Sequence, residues 1–153
     1  MSKNRIKNGE KVTGSKDPRF REDPDSFYSL NPTWRFNRLD THHCRWRINE
    51  GEFESILLEK LVSYERMTWK DILTNTSGRR GNTQNHRVEP ESLCTEAQER
   101  LVSLRLDDLA GDSLFSISLQ GKIRLWGILT EGVFHIIWLD NEHEICPSKK
   151  RHT

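Results

Sequence analysis

The sequence has few apolar residues and no long apolar run. Hydrophobic residues make up 33% of the 153 positions and charged residues 31%, so the apolar share is low and the charged share is high for a globular chain. No run approaches the roughly 20 apolar residues that cross a bilayer, and the polar, basic start of the chain is unlike a secretory signal. We therefore expect one modest hydrophobic core in a cytoplasmic protein without a membrane partner.

Cysteine is also scarce, and the common cofactor motifs are absent. The three cysteines, Cys44, Cys94 and Cys146, form no CxxC pair, which argues against a disulfide scaffold and for a reducing compartment. The sequence contains no phosphate-cradling glycine loop and no GxSxG elbow, so we expect no nucleotide or other small-molecule cofactor. The donor groups at 42–44 and 143–152 lack a spacing diagnostic of zinc, so we expect no metal, with a composite site as the weaker alternative.

The net charge of +1 is unevenly distributed along the chain. Residues 1–22 carry a charge of +4 and residues 146–153 a charge of +3, whereas the residues between them carry −6. Basic ends on an acidic body are typical of a protein that binds a polyanionic partner, although solvated tails that aid solubility give the same pattern. Because apolar residues are sparse in 1–28, we predict a flexible basic tail there and a single α+β domain over 29–153.

Alternation of apolar and polar residues predicts strands at both ends of this domain. In 33–38 and 44–48 apolar residues, aromatics among them, alternate with polar ones at a period of two, so these segments either form a hairpin or leave one strand paired with the main sheet. Three further strand-like runs follow in the C-terminal third, at 114–119, 122–129 and 132–139. Their short glycine-containing linkers predict an antiparallel meander. The third run is apolar on both faces, which indicates a central strand, and 142–146 is a candidate final edge strand.

Helical patterns occupy the middle of the sequence. Residues 50–66 carry apolar residues at steps of three and four, and Thr68 with Asp71 resembles a capping box that opens a short second helix. Pro90 suits the first turn of a helix that extends to about Arg105. A long polar loop at 74–88 separates these helices and is typical of functional or mobile segments. The order predicts an α+β fold: an N-terminal strand or hairpin, two to three helices, then a three- to four-stranded antiparallel sheet.

The stretch LRLDDLAGDSLFSISLQGKIRLWGILTEGVFHIIWLDNEHEIC carries a resemblance to a known family. A helix leads into a strand with leucine and glycine, then an arginine-bearing strand, then an aliphatic strand that ends near a histidine. This order resembles the RelE/ParE superfamily of small toxins from bacterial toxin–antitoxin pairs. The matching pieces are 114–121, 122–127, 134–138 and His143. The resemblance covers residues 90–146 by pattern and 33–73 by element order.

The resemblance implies a RelE-like fold and a toxin function. Ribosome-dependent members of the family cleave mRNA, whereas ParE-like members inhibit gyrase. It therefore implies mRNA as the substrate, the ribosome as a further partner and a cognate antitoxin protein as the natural inhibitor. Metal-independent RNA cleavage needs a general base for the 2′-hydroxyl, a general acid for the leaving oxygen and cations for the phosphate.

Four residues are candidates for this chemistry. Arg124 shares a strand face with Lys122 and is predicted to hold phosphate, or else it packs its stem on Trp126. Arg105 ends the preceding helix and either joins Arg124 or caps that helix. Histidine suits both proton-transfer roles. His143 lies between two glutamates at the position that the resemblance indicates, or is a surface histidine. His135 interrupts an apolar strand, where a hydrogen-bonded core histidine is the commoner interpretation.

Basic residues outside these four are predicted to bind the RNA backbone, because cations contact phosphates without reading sequence. The set consists of Lys122, the C-terminal Lys149, Lys150 and Arg151, and the loop residues Arg79 and Arg80. His86 and Arg87 belong to the same loop and could grip RNA or serve only solubility.

We therefore predict an endoribonuclease toxin that cleaves mRNA, with ribosome dependence. The alternative is a non-catalytic protein of the same fold, which either blocks a protein such as gyrase or binds nucleic acid as an accessory protein of a phage or mobile element.

Overall fold

The computed structural model describes residues 26–74, 76–77, 82–83 and 85–147. Within these ranges the chain has an α+β fold. Its helices are α1 (Leu58–Glu65), α2 (Trp69–Thr74), α3 (Thr95–Ser103) and α4 (Asp107–Ser113). A π-helical turn at Phe53–Leu57 precedes α1, and 3-10 turns occupy Ser26–Ser29 and Pro90–Ser92. The strands are β1 (Thr33–Arg35), β2 (Thr76–Ser77), β3 (Asn82–Thr83), β4 (His86–Arg87), β5 (Leu114–Ser118), β6 (Arg124–Thr130) and β7 (Val133–Asp140).

The three C-terminal strands form the antiparallel meander that the sequence predicts. The sheet has the spatial order β1-β7-β6-β5-β4, and β5 with β6 and β6 with β7 pair antiparallel. Because β7 lies between β1 and β6, the prediction that it is a central strand is confirmed. Glu131 and Gly132 join β6 to β7 with φ of +51° and +85°, the positive φ values that two-residue hairpin turns between twisted strands favour.

The sheet is mixed and five-stranded, so the prediction of a three- to four-stranded antiparallel sheet is correct only for its centre. β1 runs parallel to β7, with Thr33 opposite Val133 and Arg35 opposite His135. β4, from the predicted polar loop, adds an antiparallel edge strand beside β5. In addition, β2 and β3 form a separate two-stranded ribbon within that loop.

Two segments predicted as strands form turns instead, because their backbone amides donate hydrogen bonds to side-chain acceptors. Nδ1 of His43 accepts the backbone amides of Arg45 and Trp46 at 3.1 Å each, so 44–48 is not a strand and the N-terminal hairpin is wrong. The alternative, one strand paired with the main sheet, is confirmed by β1. The Asp140 carboxylate accepts the amides of Glu144 and Ile145 at 3.0 and 2.8 Å, so the predicted edge strand 142–146 is also wrong.

The hydrophobic residues form two clusters, one on each face of the sheet. On one face α1 and α2 pack against the sheet through Leu57, Leu61, Trp69, Ile72, Ile117, Leu125, Leu129, Phe134, Ile136 and Leu139. On the other face α3 and α4 pack through Ala97, Leu101, Leu106, Ala110, Leu114, Trp126, Ile128 and Trp138. Burial on both faces explains why β6 and β7 are nearly continuous apolar runs.

The predicted helices are present, although their bounds differ. The capping box is formed, since the Thr68 amide donates to Asp71 and the Asp71 amide donates to the Thr68 hydroxyl, both at 3.2 Å. The segment that starts at Pro90 becomes a helix only at Thr95, and α4 follows as a separate helix that the polar sequence DDLAGDS did not predict.

The predicted tail and basic end fall largely outside the described residues. Residues 1–25 and 148–153 are outside them, as are Arg79 and Arg80. The last predicted tail residues form the turn Ser26–Ser29, in which the Phe27 ring packs edge-on against Trp69 with centroids 6.3 Å apart. In the described part of the chain, no helix is long and apolar enough to cross a membrane.

Candidate functional site

Arg124 lies at the start of β6, at one end of the sheet. Its Nη1 donates hydrogen bonds to the carbonyl oxygens of Gly121 at 2.7 Å and Ile123 at 3.1 Å. Burial lowers the pKa of the Arg124 guanidinium, and the charges of Asp140 and Tyr64 offset part of that effect; arginine nevertheless stays charged. Among the described residues, Nε and Nη2 of Arg124 have no hydrogen-bond partner.

The expected face of Lys122, Arg124 and Trp126 is only partly exposed. Trp126 is in the core at 2% exposure, and Arg124 is half-buried. Lys122 is exposed and forms an ion pair with Glu142 from the turn after β7. The face therefore presents two cations beside a buried indole, and one of the two cations is already paired.

Two polar side chains from other parts of the chain bind Ser118, the strand partner of Arg124. Tyr64 of α1 donates its hydroxyl to the Ser118 carbonyl at 2.7 Å. Asn85 accepts the Ser118 amide at 2.7 Å, and Ser118 is the direct partner of Arg124 across β5 and β6. His86, the first residue of β4, follows Asn85. We call Tyr64, Asn85, His86 and Arg124 the Arg124 cluster.

Arg124 interacts electrostatically with the two titratable members of this cluster. Burial raises the pKa of Tyr64, and the Arg124 charge lowers it in part, so this phenol stays protonated near neutral pH. Local burial of the imidazole, together with the Arg124 charge, lowers the pKa of His86 below 6.5, although the residue as a whole is exposed. His86 is therefore a neutral imidazole at pH 7, the form that accepts a proton.

The turn that carries His143 begins at the same end of the sheet. Asp140, the last residue of β7, lies directly opposite Arg124 and is 1% exposed. Its carboxylate holds the amides of Glu144 and Ile145 and so shapes the turn, in which His143 has a left-handed φ of +57°. Among the described residues no hydrogen bond joins His143 directly to Arg124.

His143 also lines a surface cleft of about 370 Å³. The cleft is lined by Arg45, Trp46, Cys94, Glu96, His143, Glu144 and Pro147. Arg45 forms ion pairs with both Glu96 and Glu144 and lies 5.2 Å over the Trp46 ring. These contacts tie the turn after β7 to the first turn of α3.

His43 supports this cleft from within the fold. Its ring stacks on Trp46 with centroids 4.0 Å apart. Because Nδ1 accepts two backbone amides, the proton is on Nε2, which donates to Glu96 at 2.8 Å. Both ring nitrogens are thus occupied, so His43 is not free to bind a metal. In the described ranges no group of three or more His, Cys, Asp or Glu residues is placed to hold a metal ion.

The other two predicted catalytic residues lie apart from the Arg124 cluster. His135 is half-buried near the opposite end of β7, and its Nδ1 is 3.2 Å from Oδ1 of Asn37. It precedes Asp140 by five residues, about 16 Å along a strand. Arg105 is exposed with φ of +60°; its amide bonds the Val102 carbonyl, and the next amide bonds the Leu101 carbonyl, which is the Schellman ending of a helix.

Two members of the Arg124 cluster were not predicted. Tyr64 fits the apolar period of 50–66, so its position on the chain indicates a core residue rather than a site. Asn85 lies in the polar loop, where nothing distinguishes it from its neighbours before β4 is seen beside β5. His86 was a member of the RNA-binding loop set, and no sequence signal joined it to Arg124.

Comparison with protein-family models, with curated proteins and with solved structures gave no significant match. The interpretation of the site therefore depends on the geometry described above.

Proposed function

We propose that this protein is a metal-independent endoribonuclease that cleaves mRNA. The observation that carries the proposal is the position of His86 on β4 and of Arg124 on β6, on either side of β5, with the Arg124 charge contributing to the lowered pKa of His86. Arg124 supplies the cation and His86 supplies an imidazole that can accept a proton, which are two of the three groups that this reaction needs.

Arg124 binds the scissile phosphate in this proposal. The carbonyl oxygens of Gly121 and Ile123 fix the guanidinium through Nη1, which leaves the Nε–Nη2 edge for two parallel hydrogen bonds to phosphate oxygens. Since the side chain is already held in place, little conformational entropy is lost on binding. Tyr64 and Asn85 act as positioning residues, because both hold Ser118, the strand partner of Arg124.

His86 takes the proton from the 2′-hydroxyl. The 2′-oxygen then attacks phosphorus and the bond to the leaving 5′-oxygen breaks, which yields a 2′,3′-cyclic phosphate and a 5′-hydroxyl end. His143, in the turn that Asp140 shapes at the same end of the sheet, is the proposed donor of the proton to the leaving oxygen. His86 is assigned as the base because its lowered pKa favours the neutral form, which accepts a proton.

The class that we propose is a RelE-like toxin that acts on the ribosome and is silenced by a cognate antitoxin. Support comes from the element order, in which helices are followed by the antiparallel meander β5–β7, and from the position of an arginine on the second strand of that meander. The edge strand β4 is an addition to the predicted sheet, and β1 is the predicted N-terminal strand, paired parallel to β7.

Inducible expression in bacteria tests this proposal, with growth and primer extension on total RNA followed together. We expect growth arrest with new mRNA ends, abolished by Arg124→Ala and by His86→Ala in soluble folded protein. His135→Ala is the control, because it removes another histidine of the same sheet that lies away from the cluster, and it should leave cleavage intact. Loss of cleavage in His143→Ala supports the assignment of His143 as the general acid.

The other outcomes separate the alternatives. Arrest with intact mRNA contradicts the nuclease and favours a blocking toxin. Absence of arrest in the presence of soluble protein contradicts both toxin functions and leaves a binding module.

A further inference from the structure

The fold brings two of the three cysteines together. The backbone amide of Cys94 donates to the carbonyl of Ile145 at 2.8 Å, and Cys146 is the next residue along the chain. With standard covalent geometry this single bond limits the Cα–Cα distance between Cys94 and Cys146 to about 6.5 Å. Disulfide bonds span Cα distances of about 4.4–6.8 Å, so the backbone is already within bonding range.

The two side chains of this pair have similar surroundings. Both are half-buried and pack against the core cluster beneath α3. The Cys146 thiol lies 3.5 Å from the Ser92 carbonyl, two residues before Cys94, so its sulfur points toward the chain that carries Cys94. Cys44 is exposed beside Arg45 and provides an internal comparison.

We propose that Cys94 and Cys146 form a reversible disulfide on exposure to a small-molecule disulfide such as oxidised glutathione. The Cys94 thiolate, in the wall of the open cleft, attacks one sulfur of oxidised glutathione and releases one glutathione thiol. The Cys146 thiolate then attacks the Cys94 sulfur of the mixed disulfide and releases the second glutathione. The two protein thiols lose two protons and two electrons, and oxidised glutathione is reduced to two thiols.

The disulfide links the C-terminal segment covalently to the start of α3. It covalently secures the same two elements that the ion pairs of Arg45 with Glu96 and Glu144 join. His143 lies three residues before Cys146, so oxidation fixes the turn that carries this histidine. This inference does not depend on the proposed function, because it follows from the cysteine geometry alone.

The test is to equilibrate the full chain with graded mixtures of reduced and oxidised glutathione, block free thiols by alkylation and analyse peptides by mass spectrometry. We expect a peptide pair linked through Cys94 and Cys146, loss of two hydrogen masses and full reversal by reductant. The linked form should appear at a lower proportion of oxidised glutathione than the mixed disulfide of Cys44. Oxidation should also raise the thermal unfolding midpoint by about 5–10 °C.

Variants that lack one cysteine each show which thiols form the disulfide. Cys44→Ser should retain the linked peptide and the rise in midpoint, whereas Cys94→Ser and Cys146→Ser should leave only a mixed disulfide with glutathione. The proposal is overturned if wild-type protein carries only mixed disulfides, or links Cys44 instead, across the whole range of mixtures.

Discussion

Arg100 of α3 donates two parallel hydrogen bonds to Asp40, from Nε to Oδ2 at 2.8 Å and from Nη2 to Oδ1 at 2.7 Å. Asp40 is 1% exposed and also accepts the Trp138 indole at 2.9 Å and the backbone amides of His42 and His43. This carboxylate therefore joins the segment after β1, the central strand β7 and helix α3 in one buried polar contact.

Loss of Arg100 should destabilise the fold more than loss of an exposed cation. Arg100→Ala removes both guanidinium donors and leaves the buried Asp40 carboxylate without its counter-charge, so we expect a loss of about 2–3 kcal/mol in the free energy of unfolding. Lys122→Ala is the matched control, since its ion pair with Glu142 is exposed and its removal should leave stability unchanged within error. Urea unfolding of the three proteins provides the comparison, and equal stability of the two variants would contradict it.

Asp40 should also give stability a defined dependence on acid. Burial alone would raise its pKa, but hydrogen bonds from Arg100, Trp138 and the His42 amide, with the Arg100 charge, hold it well below the ordinary value of 3.8. The folded state thus binds a proton at Asp40 more weakly than the unfolded chain does. The ionised Asp40 therefore makes its full contribution to the free energy of unfolding above pH 3.8, and this contribution falls as the pH falls below that value.

The measurement is urea unfolding of wild type and Asp40→Asn at about pH 6, 4 and 3. The stability difference between the two should be largest at the highest pH and shrink at the lowest. A difference that is constant with pH would contradict the assignment.

The strands of the meander were predictable because their period and burial are local properties of the sequence. Which strands pair with each other was not predictable. The parallel pairing of β1 with β7 joins residues about 100 positions apart, and no short-range pattern in the sequence encodes it. The turn at 44–46 also escaped prediction, because an alternating aromatic pattern gives no sign that the His43 imidazole takes up the amides of Arg45 and Trp46.

The sequence singled out Arg124 but not the residues that the fold places around it. Arg124 stood out as a cation inside an apolar strand. His86 and Asn85 lie in a polar loop, and they lie beside β5, the neighbour of the Arg124 strand, only because β4 adds to the edge of the sheet. Tyr64 follows the helical apolar period, and its hydroxyl contact with Ser118 is a tertiary contact that periodicity does not reveal.

Gly127 should tolerate no side chain. A Cβ at this position would lie 2.4 Å from the His135 carbonyl oxygen and 2.6 Å from the Phe134 ring, at the irregularity between β6 and β7. We expect Gly127→Ala to cost about 2–4 kcal/mol in the free energy of unfolding.

Gly111→Ala is the control for this substitution. Gly111 lies in α4, and a Cβ added there would have no atom of another part of the chain within 4 Å, so alanine should be neutral or stabilise by up to about 1 kcal/mol. Thermal unfolding of both variants checks the pair, and a Gly127→Ala protein as stable as wild type would refute the packing argument.

Arg105 should be replaceable by glycine with a gain in stability. It occupies the left-handed position that ends α3, where glycine avoids the steric penalty of a Cβ. We expect Arg105→Gly to stabilise the fold by about 0.5–1 kcal/mol, and Arg105→Ala to give no such gain. Chemical denaturation measures both, and if Arg105→Gly is less stable than wild type, the guanidinium has a stabilising role that the helix ending does not explain.

The central claim is that Arg124 and His86 together cleave RNA, and the chemistry of the product ends tests it most directly. Purified full-length protein is added to a translation extract programmed with a defined mRNA, and the new ends are mapped and analysed. The account predicts 2′,3′-cyclic phosphate and 5′-hydroxyl ends, and cleavage rates reduced by about 100-fold or more in His86→Ala and Arg124→Ala but unchanged in His135→Ala. Intact mRNA, or undiminished cleavage by both folded variants, would contradict it.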